Sequence, residues 1–194
     1  LRILHLGNWR QEHDKYIVIE DVEAFRHLRR LKEILFLSLE GVTGMVKLPE
    51  SVYELTGLKV LDVRGCNNLE NIPRGIKSLE NLTHLDFTGC YLLDHLPLEI
   101  CTLKDLVVLK GFVVTEDDIS EQVNNGKEKR RRGKARQATS IPCPFHELSK
   151  LVKLEKLTIH TRKVTFPTSY DLETISKLEK LRCLRITWGK NSKT

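Results

Sequence analysis

The chain has 194 residues, of which 40% are hydrophobic and 6% aromatic, a composition typical of a globular domain and unlike that of a disordered chain. Its longest apolar windows, such as residues 34–37 and 106–109, fall far below the roughly 18 residues of a transmembrane helix. No signal peptide opens the sequence, and the five cysteines form no CxxC pair. We therefore expect a soluble, cytoplasmic protein with reduced thiols and with neither a metal site nor a cofactor.

The net charge of +6 comes from one short segment. Residues 127–136 contain seven lysine or arginine residues and one acidic residue, so this segment carries the whole excess. The rest of the chain is electrically balanced, and the composition therefore does not predict a nucleic-acid-binding surface over the body of the protein.

In chain order, the first element is a short apolar phrase, Leu1-Leu4-Leu6. Residues 10–20 lengthen the interval before the next copy, and their apolar run at positions 16–19 predicts a short strand. From residue 31 onward a phrase of the form LxxLxxLxL recurs, and its third position falls at 37, 61, 85, 109, 157 and 184. Three successive steps are thus 24 residues long, the fourth is 48, twice as long, and the last is 27. The copies are Leu31-Ile34-Leu37-Leu39, Leu55-Leu58-Leu61-Val63, Leu79-Leu82-Leu85-Phe87, Leu103-Leu106-Leu109, Leu151-Leu154-Leu157-Ile159 and Leu178-Leu181-Leu184-Ile186.

This repeat predicts a fold. Apolar and polar residues alternate in each phrase as in a half-buried strand, while prolines at positions 49, 73 and 97 favour irregular return segments. One such coil cannot bury its leucines alone, but stacked coils pair their strands into a parallel sheet. We expect an α/β solenoid, a leucine-rich-repeat horseshoe with a parallel β-sheet on the concave face and irregular or short helical segments on the convex face. It spans residues 1–194 as a fragment of a longer chain.

Some positions depart from the repeat or mark its turns. Cys66 and Cys90 follow the strands where such repeats turn an Asn or Cys inward, so we predict structural roles for both thiols. Gly111 stands where the other copies have a large apolar residue, which predicts a bend with Phe112 filling the gap. Residues 115–140 contain almost no apolar side chains, and we predict a disordered polar and basic loop.

The blocks at residues 58–66 and 69–76, and again at 82–90 and 93–100, are similar to the LxxLxLxxCxxLxxLPxxI pattern of plant intracellular nucleotide-binding immune receptors of the coiled-coil class. The stretch 109–114, LKGFVV, also resembles a recurrent phrase of that family. The resemblance implies the leucine-rich-repeat region of a disease-resistance protein, which binds a pathogen effector or a host protein that senses effectors. It also implies contact with the receptor's nucleotide-binding domain, which this region would restrain. That domain lies outside this chain, because no GxxxxGK[ST] phosphate loop occurs here.

The strand register predicts the partner-binding residues, because side chains flanking the central leucine point outward onto the concave sheet. Apolar residues at three of these positions, ringed by charge, are typical of a protein interface. The candidate set is Phe36, Ser38, Glu40, Val60, Asp62, Arg64, His84, Asp86, Thr88, Val108, Lys110, Lys156, Thr158, His160, Arg185 and Trp188. Trp9, like Trp188, is placed just past its strand.

Two other functions stay open at this point. The basic segment 127–136 could contact phosphates or direct nuclear import, although no interleaved aromatic side chain is present to stack on bases. An enzyme would need a nucleophile beside a base, and His84 near Asp62 and Asp86 lacks such a nucleophile. We therefore expect a non-enzymatic protein that binds a protein partner and no membrane, with solvent exposure as the alternative role of the basic segment.

Overall fold

A computed structural model describes residues 1–7, 17–18, 22–115 and 141–189 of the chain. Seven strands form one parallel sheet in which each strand pairs with the next copy of the repeat, and a separate pair of short strands lies outside it. The large sheet contains β1 (Ile3–His5), β3 (Phe36–Ser38), β5 (Val60–Asp62), β6 (His84–Asp86), β7 (Val108–Val114), β8 (Lys156–Thr161) and β9 (Cys183–Trp188), and the small one contains β2 (Ile17–Val18) and β4 (Val42–Thr43).

The register of the large sheet follows the repeat. Each third-position leucine pairs with its counterpart on the neighbouring strand, so that Leu37 faces Leu61 and Leu61 faces Leu85. These side chains are fully buried, whereas Leu184 on the edge strand β9 is 37% exposed. The parallel solenoid expected from the fixed spacing is confirmed, and the curvature of a horseshoe stays a prediction. The apolar run at positions 16–19 does contain a strand, β2, which pairs with β4.

Most return segments contain a short 3₁₀ helix that begins after a proline. Four 3₁₀ helices begin immediately after Pro49, Pro73, Pro97 and Pro144, each of which is the N-cap and has an extended backbone. Within the described residues there is a single α-helix, so the helical content is lower than the α/β designation suggests. The 3₁₀ helices are Val22–Arg30, Glu50–Val52, Arg74–Ser78, Leu98–Thr102 and Phe145–Lys150, and the α-helix is α1, Ser169–Ser176.

Helix α1 begins at a capping box. The Asp171 amide donates to Thr168 Oγ1 at 3.3 Å, and the Thr168 amide donates to Asp171 Oδ2 at 2.8 Å. This helix lies in the return segment before β9, where the sequence spacing is 27 residues instead of 24. The three additional residues give this coil room for an α-helix.

Cys66 and Cys90 point inward, as predicted. The Cys66 thiol donates to the carbonyl oxygen of Leu39, and the Cys90 thiol donates to that of Val63, each over 3.1 Å. Each thiol thus bonds to the preceding coil. Burial, the main cause, raises the pKa of both thiols to about 12, which keeps them protonated and unreactive at neutral pH.

Gly111 forms a bulge in β7. Lys110 pairs with Thr158 and Phe112 pairs with Ile159, so Gly111 is the additional residue on its strand. Its φ is +78°, and a Cβ at this position would lie 2.6 Å from the carbonyl carbon of Phe87. Phe112 occupies the core position that Gly111 leaves, which confirms the predicted irregularity and its filling.

No helix in the described ranges is long and apolar enough to cross a membrane.

Candidate protein-interaction face

The predicted partner-binding residues lie on one face of the large sheet, which we call the sheet face. Strand pairing places the first two rows across the strands, and the third row consists of residues two positions after members of the second row. The first row contains Phe36, Val60, His84, Val108 and Lys156; the second contains Ser38, Asp62, Asp86, Lys110, Thr158 and Arg185; the third contains Glu40, Arg64, Thr88 and His160.

Trp188 does not belong to these rows. It is the last residue of β9 and not a residue beyond it, and it pairs with Thr161, whose side chain is fully buried. The alternation of the strand therefore directs Trp188 toward the core side, where it is 56% exposed because β9 is the edge of the sheet. The prediction that Trp188 lies just past its strand is wrong, and Trp9 lies outside the described residues.

Two residues of the second row are not accessible. Ser38 is fully buried and Asp62 is 6% exposed, although both are on the sheet face. The expectation that register alone exposes these side chains is wrong, because the side chain of Arg64 folds back onto Asp62, and Ser38 is bonded to the same carboxylate. A partner would contact Arg64 and Glu40 rather than Asp62.

Arg64 is the centre of an ion network. Its Nε and Nη2 atoms donate to Asp62 Oδ1 and Oδ2 at 3.0 and 2.9 Å, a bidentate pair, and Nη2 also donates to Glu40 Oε2 at 2.9 Å. Ser38 Oγ donates to Asp62 Oδ2 at 3.2 Å. These bonds satisfy a nearly buried carboxylate that would otherwise be costly to desolvate. The hydrogen bond with Asp62 is the main cause that raises the pKa of Arg64.

The network continues to the next strands. Asp86 Oδ2 lies 3.9 Å from Arg64 Nε and accepts a bond of 2.9 Å from Lys110 Nζ. Burial opposes ionisation of Asp86, but the hydrogen bonds from Lys110 and Thr88 outweigh it and lower the pKa of that carboxyl. The network has a net charge of −1, because it contains three carboxylates and two cations: Glu40, Asp62, Asp86, Arg64 and Lys110. We call these five side chains the ion network.

The first row is mainly apolar. Phe36, Val60 and Val108 are half-buried on neighbouring parts of the sheet face, and the Phe36 ring packs against His5 with 4.8 Å between ring centres. Between them His84 is exposed, and its Nδ1 atom lies 2.9 Å from Thr83 Oγ1. The nearest contact of this imidazole is therefore a threonine, while Asp62 and Asp86 are bonded to cations.

A cleft that the sequence did not predict lies at the end of the sheet face. It has a volume of about 600 Å³ and opens where β7, β8 and β9 extend beyond the shorter strands. Its lining includes Tyr91, Val113, His160, Arg162 and Thr187. Burial, and then the charge of Arg162, lower the pKa of His160, which favours the neutral imidazole. The departure from the repeat at Gly111 was the available signal in the sequence, because this residue is part of the cleft lining.

Other predicted features fall outside the described residues. The basic segment 127–136 and nearly all of the loop assigned to residues 115–140 belong to this group. In the described ranges, no three His, Cys, Asp or Glu side chains cluster in a way that could hold a metal ion.

A family model described as leucine-rich repeat region matches residues 1–130. A comparison with curated proteins finds no match. Among solved structures, the chain is similar to a leucine-rich-repeat protein of Leptospira interrogans, with 19% identity, a TM-score of 0.50 and coverage of 97% of this chain and 50% of that one. It is also similar to the leucine-rich-repeat domain of the type III effector XopL, with 21% identity, a TM-score of 0.48 and coverage of 80% and 43%.

A third similar structure is the plant peptide hormone receptor RGFR1 in complex with RGF2, with 18% identity, a TM-score of 0.45 and coverage of 80% of this chain and 21% of that one. The chain thus spans half or less of the length of each of these three structures. The family match extends from β1 through β7, across the coils whose leucines form the core. The chain therefore belongs to the leucine-rich-repeat proteins.

Proposed function

We propose that this chain is the partner-recognition region of a plant intracellular disease-resistance receptor. In this proposal the sheet face binds a pathogen effector or a host protein that senses effectors, and the chain also contacts the receptor's nucleotide-binding domain and restrains it in an inactive state. The proposal assigns no catalytic activity to the chain. Leucine-rich-repeat domains generally mediate protein–protein interactions, and their extended sheets are the usual binding surfaces.

The observation that carries the proposal is the pairing of an apolar row with a preorganised ion network. Phe36, Val60 and Val108 offer apolar area that a partner can bury, and the adjacent charges are already bonded to one another. A partner that covers charges held in this way needs to order few side chains, which reduces the entropic cost of association. Arg64, 44% exposed in its side chain, remains available at the centre.

The experiment uses a binding screen followed by single substitutions. The chain is screened by split-reporter complementation in plant leaf cells against secreted pathogen proteins and against nucleotide-binding domains of coiled-coil-class receptors. Val60→Arg and Val108→Arg then place a charge in the apolar row. The matched control is Val152→Arg, at a position 60% exposed in the turn before β8 and away from the sheet face.

We expect Val60→Arg and Val108→Arg to weaken binding by roughly tenfold or more, as at interface hot spots, and Val152→Arg to leave it unchanged. A partner that binds all three variants equally well would remove the sheet face from the interface. The receptor class has a separate test in the gene upstream of Leu1. A nucleotide-binding module encoded there supports the proposal, and a secretion signal there contradicts it.

A second candidate function rests on the concentration of charge in residues 127–136. Binding of nucleic acid through this segment requires phosphate contacts, and affinity would then fall steeply as salt rises. Titration of a fluorescent DNA or RNA probe at low and high salt tests this function. Absence of binding at low salt would exclude it.

A further inference from the structure

Two cysteines that are far apart in sequence lie side by side on the return segments. Cys101 belongs to the 3₁₀ helix Leu98–Thr102, and Cys143 precedes the 3₁₀ helix Phe145–Lys150 of the next described coil. Their Sγ atoms are 2.9 Å apart, and the residues are 2% and 3% exposed. The two positions are 42 residues apart in sequence, and no spacing rule connects them.

The main chain pairs the segment that contains Cys143 with the segment that leads into the helix of Cys101. The amide of Cys143 donates to the carbonyl oxygen of Leu96 at 2.7 Å, and the amide of Leu98 donates to that of Ile141 at 2.8 Å. Pro97 and Pro142 form an antiparallel bridge between these two bonds. A disulfide needs its sulfurs at about 2.05 Å, so the thiols need to move together by only about 1 Å, with the flanking backbone already paired.

We propose that Cys101 and Cys143 are a modification site at which hydrogen peroxide forms a reversible disulfide. Peroxide is the oxidant because it is small and uncharged and both sulfurs are buried. One thiol loses its proton, and its sulfur attacks a peroxide oxygen. The O–O bond breaks, leaving a sulfenic acid and a hydroxide that takes up the proton as water. The second thiol then attacks the sulfenic sulfur, the S–S bond forms, the S–O bond breaks and a second water leaves.

In this reaction two thiols lose two electrons and two protons, and one peroxide is reduced to two waters. Cys143 also donates to the carbonyl oxygen of Pro144 at 3.7 Å, in addition to its contact with Cys101. The other thiols in the described chain lack this geometry. The Cys66 and Cys90 thiols each donate at 3.1 Å to a carbonyl oxygen of the preceding coil, and Cys183 is exposed on the edge strand. The disulfide would close a ring from residue 101 to residue 143, which contains the whole of the sequence between β7 and the next coil.

The cross-link should stabilise the fold by restricting the unfolded chain. For a ring of this length, the equilibrium constant for unfolding is expected to fall by roughly a hundredfold to a thousandfold. Since the two cysteines lie on the return segments, oxidation is expected to leave partner binding at the sheet face unchanged. The inference is thus independent of the proposed function.

The experiment uses the 194-residue chain with Cys183→Ser, which removes the exposed thiol and with it the main route to intermolecular disulfides. The folded protein is treated with graded hydrogen peroxide, alkylated in urea and analysed by intact mass and peptide mapping. A sample unfolded in urea before oxidation is the control. We expect the folded chain to lose two hydrogen atoms, to yield a peptide joining Cys101 to Cys143, and to shift its urea midpoint upward, with full reversal by dithiothreitol.

Three results would overturn the proposal. The folded chain could gain oxygen atoms without a cross-link, it could keep both thiols open to alkylation after peroxide treatment, or it could join these cysteines to Cys66 or Cys90 as often as to each other. Cys143→Ala should abolish both the joined peptide and the midpoint shift. If that variant does not fold, the peptide map of the parent chain still decides between these results.

Discussion

Replacing Gly111 by alanine tests whether the β7 bulge determines the packing of neighbouring coils. The glycine has a φ of +78°, and an added Cβ would lie 2.6 Å from the carbonyl carbon and 2.8 Å from the carbonyl oxygen of Phe87. Both neighbours are backbone atoms of β6's coil and cannot rotate away as a side chain would. The substitution therefore combines an unfavourable backbone conformation with a collision between coils.

The size of the effect follows from these two costs and from two matched glycines. A left-handed backbone costs an alanine roughly 1–2 kcal/mol, and forcing an atom into packed structure costs a further 1–3 kcal/mol, so Gly111→Ala should destabilise by about 2–5 kcal/mol. Gly65 has a φ of +67°, but a Cβ there would lie no nearer than 3.8 Å to another atom. Alanine at this position should therefore cost only the roughly 1–2 kcal/mol of the left-handed backbone. Gly57 has neither feature, its nearest neighbour being 3.7 Å away, and alanine should be neutral or slightly stabilising.

Urea unfolding followed by circular dichroism measures all three variants against the parent chain. The expected order of destabilisation is Gly111→Ala, then Gly65→Ala, then Gly57→Ala. If Gly111→Ala costs no more than Gly65→Ala, the coils adjust to the additional methyl group and the close approach at the bulge does not constrain the fold. An equal loss for all three would contradict the reasoning, because Gly57 has neither a left-handed backbone nor a close neighbour to account for it.

Three further predictions concern the ion network and the thiols. Arg64→Met should lower the free energy of unfolding by roughly 2–3 kcal/mol in urea titrations, because the buried Asp62 carboxylate loses its bidentate partner, and a loss below about 1 kcal/mol would show that water replaces the guanidinium. Lys110→Met should destabilise the chain at neutral pH, and this difference should begin to shrink as the pH falls below about 4 and vanish once the pH is below the lowered pKa of Asp86, since the ion pair stabilises the fold only while that carboxyl is ionised; a difference that persists in stronger acid would exclude this ion pair as its cause. Iodoacetamide at neutral pH should label Cys183 in the folded chain and all five thiols in urea, and labelling of a buried thiol as fast as Cys183 would contradict the packing of the coils.

The repeat predicted much of the fold because its spacing is a local property. A leucine at every twenty-fourth position defines one coil, and stacking identical coils places Leu37, Leu61 and Leu85 in one buried column. The same reasoning located the irregularity at Gly111 and the inward thiols, since each is a deviation or a fixed position within one repeat. These features need no knowledge of which side chains meet across coils.

The site was less predictable because its properties depend on contacts between coils. Register places Asp62 on the sheet face, but only the conformation of Arg64 determines that the carboxylate is covered. Cys101 and Cys143 meet although the insertion between them doubles the spacing, so no periodic argument aligns them. Helix α1 had a usable local signal, a threonine three residues before an aspartate, together with the longer final step.

The ion network also determines which substitutions can test binding. In-register parallel strands place Asp62 and Asp86 one strand apart, at a spacing of about 4.8 Å, where two carboxylates repel unless a cation lies between them. Arg64 lies near both and Lys110 pairs with Asp86, so the repeated acids are tolerated because the neighbouring positions supply these cations. Reversing any of these charges would destabilise the sheet itself, so a loss of partner binding could not be assigned to the interface. The side chains of the apolar row take part in no ion pair. Substitutions there therefore test the effect on partner binding separately from the effect on the stability of the ion network.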